Sequence, residues 1–433
     1  MSATTAPTTE PAPGPSSETA AGTAPPPTTP SAPASLSGHI GHLDAHQTAQ
    51  LAEFKSKLMA EGIYRASIPG TSIAASHDDG TLLRFLRARR FVLPDALEQF
   101  RDTEAWRAKN NMDLLYEKID IQDYEETRRL YPQWTGRRDR RGIPVYVFKV
   151  ASLDSKTMSA YTKSSQRTNI SMSSTSSTLS TAPSTPTSSG FFGGGSSTEH
   201  HHKETPARML RLFALYENLT RFVMPLCSIA PGRPNPETPI TQSNNIVDIS
   251  GVGLRQFWNL RSHMQDASTL ATAHYPETLD RIFIIGAPSF FPTVWSWIKK
   301  WFDPITTSKI FILPSGKEEV FAGLSQFIDP ENIPTQYGGT LPYTFGELPK
   351  LDAALASLVH WTPAAGKHAD SGEGTLPIGP VLWERHEHKG QWEAIAVGSV
   401  EGTDRREVVA RLDEGMRMFG EEGEAPEKEK EEA

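Results

Sequence analysis

The sequence predicts an α/β fold in which an all-helical N-terminal unit precedes a largely parallel β-sheet covered by helices. Two patterns carry that expectation. Four short runs, IPVYVFKV (143–150), NNIVDIS (244–250), RIFIIGA (281–287) and KIFIL (309–313), are nearly continuous in β-branched and aromatic residues, as strands buried on both faces are. Stretches of helical period at about 206–226, 254–275 and 292–302 separate them. The 433 residues are 37% hydrophobic with a mean hydropathy of −0.42, the balance of a soluble protein with polar tails, and no run approaches the ~20 apolar residues of a membrane span.

Taken in order, residues 1–42 are rich in Pro, Thr, Ser and Ala without periodicity, so burial cannot offset their chain entropy and a disordered tail is expected. No Lys or Arg and no apolar core occurs before Ile40, which argues against a secretory signal. A helical unit is expected over 43–115. There QLAEFKSKLMAEG spaces Leu51, Phe54, Leu58 and Met59 at helical intervals, Asp78 or Asp79 caps the next helix, and Pro94 suits the first turn of a third. The sheet-bearing lobe follows at 116–346, interrupted by a Ser/Thr/Gly-rich tract at 164–204. Since the sheet draws strands from both sides of that tract, it is a disordered insert within one domain rather than a linker. Residues 347–433 form a C-terminal extension, in which PVLWERHEHKGQWEAIAVGSV (380–400) adds strands and DRREVVARLDEGMRMFG (404–420) a last helix before an acidic tail.

Composition and motifs exclude several functions. A net charge of −8 disfavours bulk nucleic-acid binding, so any basic work falls to a local patch. Cys227 stands alone and forms no intramolecular disulfide. GVGLRQ (251–256) lies where a dinucleotide fingerprint would, but Gln256 replaces its last small residue. Neither a phosphate-binding P-loop nor a G-x-S-x-G elbow occurs, and His200, His201 and His202 sit in the insert without rigid support. No enzyme activity, cofactor or metal is expected.

Three stretches point to a site. LLRFLRARR (82–90) carries Arg84, Arg87, Arg89 and Arg90 without acids at i+4, either as a solvated basic face or as guanidinium forks for phosphate. Glu277, in HYPETLDRIFIIGAPSFF, stands just before a buried strand, where it caps backbone, pairs with Arg281 or accepts hydrogen bonds from a polyol. On a helical projection of VWSWIKKWF, Val294, Trp297, Ile298, Trp301 and Phe302 span roughly 140°, with Trp295 at the edge and Ser296, Lys299 and Lys300 opposite. That pattern fits a core-covering helix and an interfacial one alike. Thr306, Thr307, Ser308 and Lys309 then make a hydroxyl-rich cationic turn.

Together DDGTLLRFLRARRF, YPQW…RRDRRGIPVYVF, YPETLDRIFIIGAP, FDPITTSKIFIL and ENIPTQYGG resemble, in order and spacing over roughly 45–345, the CRAL-TRIO family and within it the fungal phosphatidylinositol/phosphatidylcholine transfer proteins. The resemblance implies a deep apolar pocket for one lipid, closed by a helical gate that matches Trp295, Trp297, Ile298, Lys299, Lys300, Trp301 and Phe302. It places the phosphatidylinositol headgroup at Arg89, Glu277, Thr306 and Lys309. The phosphatidylcholine subsite keeps Tyr146 and Ser243, but Thr135, Glu217 and Asn245 depart from its pattern, which leaves the second hydrophobic ligand open. The implied protein is a monomer that exchanges or presents phosphatidylinositol at cytosol-facing membranes such as Golgi or endosomes, linking to phosphoinositide signalling and trafficking. A carrier of a sterol-, tocopherol- or haem-like molecule and a membrane-associated scaffold are the alternatives.

Overall fold

The computed structural model describes residues 36–68, 73–179, 204–301, 304–362, 376–386, 390–413, 416 and 418. The tail expected at 1–42 lies mostly outside them, as do most of the insert, its histidines and the acidic terminus. Contacts divide the chain into two units, Met1–Ser37 and Gly38–Ala433, and all the elements below belong to the second.

Side-chain caps set the first helices. Helix α1 (Ala45–Ala60) starts where the Asp44 carboxylate accepts from the Gln47 amide at 2.8 Å and Gln47 bonds back in a capping box. Asp78 caps α2 (Asp79–Ala88) through the Thr81 amide at 2.8 Å. Pro94 sits in the first turn of α3 (Leu93–Lys109). Phe54 and Leu58 of α1, Leu83 and Leu86 of α2, and Phe100 of α3 close one core. Helices α4 (Met112–Lys118) and α5 (Ile121–Leu130) lead into the sheet.

The sheet runs β1 (Gln133–Arg138), β2 (Pro144–Lys149), β3 (Ser243–Asp248), β4 (Leu279–Ile285) and β5 (Ile310–Ile312), in that spatial order. β2 to β5 are parallel, and β1 pairs antiparallel with β2. Register places Tyr146, Asn245, Ile282 and Ile310 in one row and Phe148, Val247, Ile284 and Ile312 in the next, on one face because side chains alternate with period two. Val147, Ile246, Phe283 and Phe311 form the intervening row on the opposite face.

Between β2 and β3 come α6 (Ser155–Leu179) and α7 (Ala207–Asn218), the latter continuing through a π turn (Leu219–Val223) into α8 (Met224–Ser228). Helix α9 (Leu254–His274) joins β3 to β4, after a Gly253 N-cap that makes GVGLRQ a strand-to-helix turn. Helix α10 (Phe291–Ile298), a 3-10 turn (Lys299–Trp301) and α11 (Pro304–Ser308) join β4 to β5. Helix α12 (Lys317–Leu324) covers the Phe283 face with Ile328, Ile333 and Tyr337.

Two expectations are corrected. Helix α6 runs to Leu179, well into the tract expected to be irregular from residue 164. Its anchor is Arg211 of α7, fully buried and ion-paired with Asp123, whose Nε donates to Thr168 at 2.6 Å and whose Nη1 donates to Ser164 at 3.1 Å. Burying that guanidinium without those partners is costly, so the helix is held despite its composition. The C-terminal extension builds a second, antiparallel sheet. After α13 (Ala353–Ala356), it holds β6 (Val359–Trp361), β7 (Val381–Arg385), β8 (Trp392–Val400) and β9 (Thr403–Leu412), ordered β6-β9-β8-β7. The segment from Asp404 is thus a strand and not a helix through Leu412, because Glu401-Gly402 turn it back along β8. In addition, QWTGRR forms β1, a strand the sequence reading did not include.

Candidate functional site

At the end of the sheet where β4 begins, Tyr275 closes α9 and Glu277 follows with a left-handed φ of +55°, a conformation that costs a non-glycine residue energy and collects at functional positions. That turn aims its carboxylate at Lys309, whose Nζ lies 3.1 Å from Glu277 Oε2 and donates to the Leu279 carbonyl at 2.9 Å. Lys309 is fixed just ahead of β5 by two backbone bonds. Its carbonyl accepts from Ile282 at 2.9 Å, and its amide donates to the Thr306 carbonyl at 3.1 Å. Thr306 is thereby held one turn away, in α11.

Arg87 completes the cluster from α2, with Nη2 at 3.9 Å from Glu277 Oε2 and 3.5 Å from the Glu277 carbonyl. Burial pushes its guanidinium down to about 10, against the pull of Glu277, so it stays charged at neutral pH. Arg89, the arginine expected here, is the exposed C-cap of α2, and the guanidinium that faces Glu277 is that of Arg87. The signal lay in the spacing, since Arg87 follows the buried Leu83 by one helical turn whereas Arg89 lies past the last turn. Two cations against one carboxylate leave a surplus positive charge, suited to an anionic phosphodiester, while the carboxylate accepts from hydroxyls.

From this cluster the site continues along the row through Asn245 and Tyr146. Ser243 donates to the Thr278 carbonyl at 3.2 Å and receives the Asn245 side-chain amide at 3.3 Å. Further along the same face Phe148, Val247, Ile282 and Ile310 are half-buried and share one cluster with Met264 and Leu270 of α9 and Trp295 of α10, themselves only half-buried. A cavity of about 60 Å³ opens beside Tyr146, with Gln133, Trp134 and Phe222 on one side and Leu376 and Val381 of the C-terminal extension on the other.

The residues that depart from the phosphatidylcholine pattern have internal work. Thr135 donates to the Val145 carbonyl at 3.0 Å within the β1–β2 ladder. Glu217 is buried and held by Arg107 at 2.6 Å, Arg221 at 2.7 Å and the Tyr275 hydroxyl. Burial alone would raise its pKa, yet Arg107 and Arg221 keep that carboxyl below the ordinary range.

The Trp-rich stretch divides its faces. Phe291, Val294 and Ile298 are buried under α10, Trp295 stacks on Phe291, and Trp297 is 45% exposed. Lys299 and Lys300 are exposed in the 3-10 turn that ends at Trp301. Phe302, expected as part of the gate, lies outside the described residues. Sequence reasoning missed Trp258 of α9, 52% exposed and edge-on to Trp297 at 5.8 Å. Among the described residues no group of three metal-ligating side chains gathers, and no helix is long and apolar enough to cross a membrane.

Comparison with known proteins yields matches over the same segments. The family description "CRAL/TRIO domain" matches residues 128–339, and "CRAL/TRIO, N-terminal domain" matches 50–102. The Sec14 cytosolic factor of Schizosaccharomyces pombe is 30% identical over 313 residues, covering 72% of this chain and 87% of that protein. The SEC14 cytosolic factor of Yarrowia lipolytica is 30% identical over 310 residues, 71% of this chain and only 51% of the relative's length. The phosphatidylinositol/phosphatidylcholine transfer protein SFH9 of Arabidopsis thaliana is 26% identical over 365 residues, 76% of this chain and 54% of that protein.

Proposed function

The chain belongs to the CRAL/TRIO family, and from that premise we propose that it binds one phosphatidylinositol molecule and transfers or presents it at cytosol-facing membranes. The observation that carries this reading is the cluster of Lys309, Arg87 and Glu277 at the mouth of a half-buried apolar sheet face. Lys309 and Thr306 hold the phosphodiester, Glu277 accepts from inositol hydroxyls, and Arg87 adds the inner positive charge with Arg89 outside it. The acyl chains lie along Phe148, Val247, Ile282 and Ile310, where each buried methylene contributes about 0.8 kcal/mol, offset by the same lipid's packing in the bilayer. Exchange is then near balance and needs no covalent chemistry, with α10 as the moving cover. Names of relatives support the lipid class, since SFH9 is called a phosphatidylinositol/phosphatidylcholine transfer protein. The protein acts as a monomer and reaches Golgi or endosomal membranes from the cytosol.

A second hydrophobic ligand occupies the Tyr146 end, where Asn245 and Ser243 offer neutral hydrogen-bonding groups. Transfer of labelled phosphatidylinositol between vesicles tests the main reading. Lys309→Ala should reduce it at least tenfold, about 1.4 kcal/mol of lost binding, with the fold intact. Wild-type transfer by that variant would sink the headgroup assignment.

A further inference from the structure

We infer that the first two turns of α9 form a second, stationary docking face for anionic lipid bilayers, beside the mobile gate. This rests on the proposed membrane role and adds a surface to it. Leu254, Trp258 and Arg261 follow one another at i, i+4 and i+7, so they share one stripe of the helix. Leu254 is 51% exposed and Trp258 52%, while Phe257, at the edge of that stripe, and Leu260, further round the helix, are buried in the lobe. An ordinary core-covering helix places polar residues on that outer stripe. Here the outer stripe holds a large aromatic and an aliphatic side chain.

Charge decides the occupant. Arg261 stacks its guanidinium 5.3 Å from the Trp258 ring centre, and Arg255 is exposed one position after Leu254. Across the Trp258–Trp297 contact, Lys299 and Lys300 extend the same positive rim, and the next acid along α9 is Asp266, eight residues beyond Trp258. The whole chain carries a net charge of −8, so this rim runs against the overall balance. Indole rings at headgroup depth flanked by arginine and lysine suit an anionic lipid surface. A protein partner of matching chemistry would need acids and an apolar pocket, and nothing in the structure selects one. Since α9 is tied to the sheet, Trp258 keeps its place on the bilayer when α10 moves away from it.

The test uses the full chain sedimented with vesicles of phosphatidylcholine alone or with about one-third phosphatidylserine. Leu254→Ala with Trp258→Ala should lower binding to both vesicle types about tenfold. Arg255→Glu with Arg261→Glu should weaken binding several-fold on the anionic vesicles and leave the neutral ones unaffected. Lipid extracted from each purified variant should match wild type, because none of these side chains belongs to the headgroup cluster or to the half-buried sheet face. Wild-type binding of either double variant to anionic vesicles overturns the proposal, as does loss of the bound lipid together with vesicle binding. If wild type carries no phosphatidylinositol but shows these vesicle dependences, the docking face stands and the headgroup reading falls.

Discussion

The two faces of the five-stranded sheet are built from the same strands and packed in opposite ways. Towards α12, Val145, Val147, Ile246, Phe283 and Ile285 are all 0–3% exposed and close a dry core. On the opposite face Phe148, Val247 and Ile282, packed with α9 and α10, are left half-buried, as are Tyr146 and Asn245, and Ile284 alone of this group is 8% exposed. Apolar surface left uncovered forgoes about 25 cal/mol per Å², so this face gives up stability that the other secures. One face holds the fold together. The other keeps partly uncovered apolar side chains, the packing that the proposed lipid would complete.

Paired substitutions on neighbouring strands should break that comparison most sharply if it is mistaken. Ile246→Ala empties a closed site and is expected to destabilise by about 2–5 kcal/mol, the usual range for a buried isoleucine. Ile282→Ala removes the same atoms from the half-buried face and should cost about 1 kcal/mol, less than half as much. Urea denaturation of both variants decides it, and equal costs would mean that the two faces are packed alike.

The helix over the open face brings its own pH response. His263 of α9 is buried against Tyr131, whose hydroxyl lies 2.6 Å from Nε2, and burial together with the Arg208 charge pushes its pKa down to about 4. Unfolded, the ring protonates near 6.5, so between about pH 6.5 and 4 the unfolded chain binds the extra proton. Stability is therefore full above pH 6.5 and falls as pH drops towards 4, on the order of 2–3 kcal/mol from this residue. Thermal melts across that window should flatten in His263→Gln, and an unchanged slope would place the acid sensitivity elsewhere.

How far all this was legible depended on where each signal resides. Strands β2 to β5 and helix α9 announce themselves in local apolar patterns, and they lie within two residues of where the sequence put them. Strand β1 carries no such pattern, because Gln133 and Arg138 gain their order from pairing with β2 rather than from burial preference. Strand β9 misled for the opposite reason. Its Val409 and Leu412 stand three apart, like a helix face, and only the hairpin with β8 fixes the extended form. Ser164 and Thr168 look like linker residues until Arg211, more than forty positions away in sequence, reaches them. In the site, Glu277 and Lys309 were found by resemblance, and the structure pairs them. Which arginine faces Glu277 depended on the end of α2, a boundary that sequence patterns fix poorly.

The mildest change bears most directly on what the open face is for. Glu277 holds φ at +55°, which a residue with a side chain adopts at a cost of roughly 1 kcal/mol or more. Glu277→Gly relieves that strain, but it also frees the unfolded chain by roughly 0.5–1 kcal/mol and removes a partly exposed pair with Lys309 contributing about 1 kcal/mol or less. These effects nearly cancel, so stability should stay within about 1 kcal/mol of wild type. Co-purifying phosphatidylinositol should nevertheless fall, because the carboxylate proposed to accept from inositol hydroxyls is gone. A stability loss above about 3 kcal/mol would show that the turn serves the fold, as breaking a buried ion pair does. Normal stability with normal lipid content would leave the strained backbone at Glu277 without a functional reason.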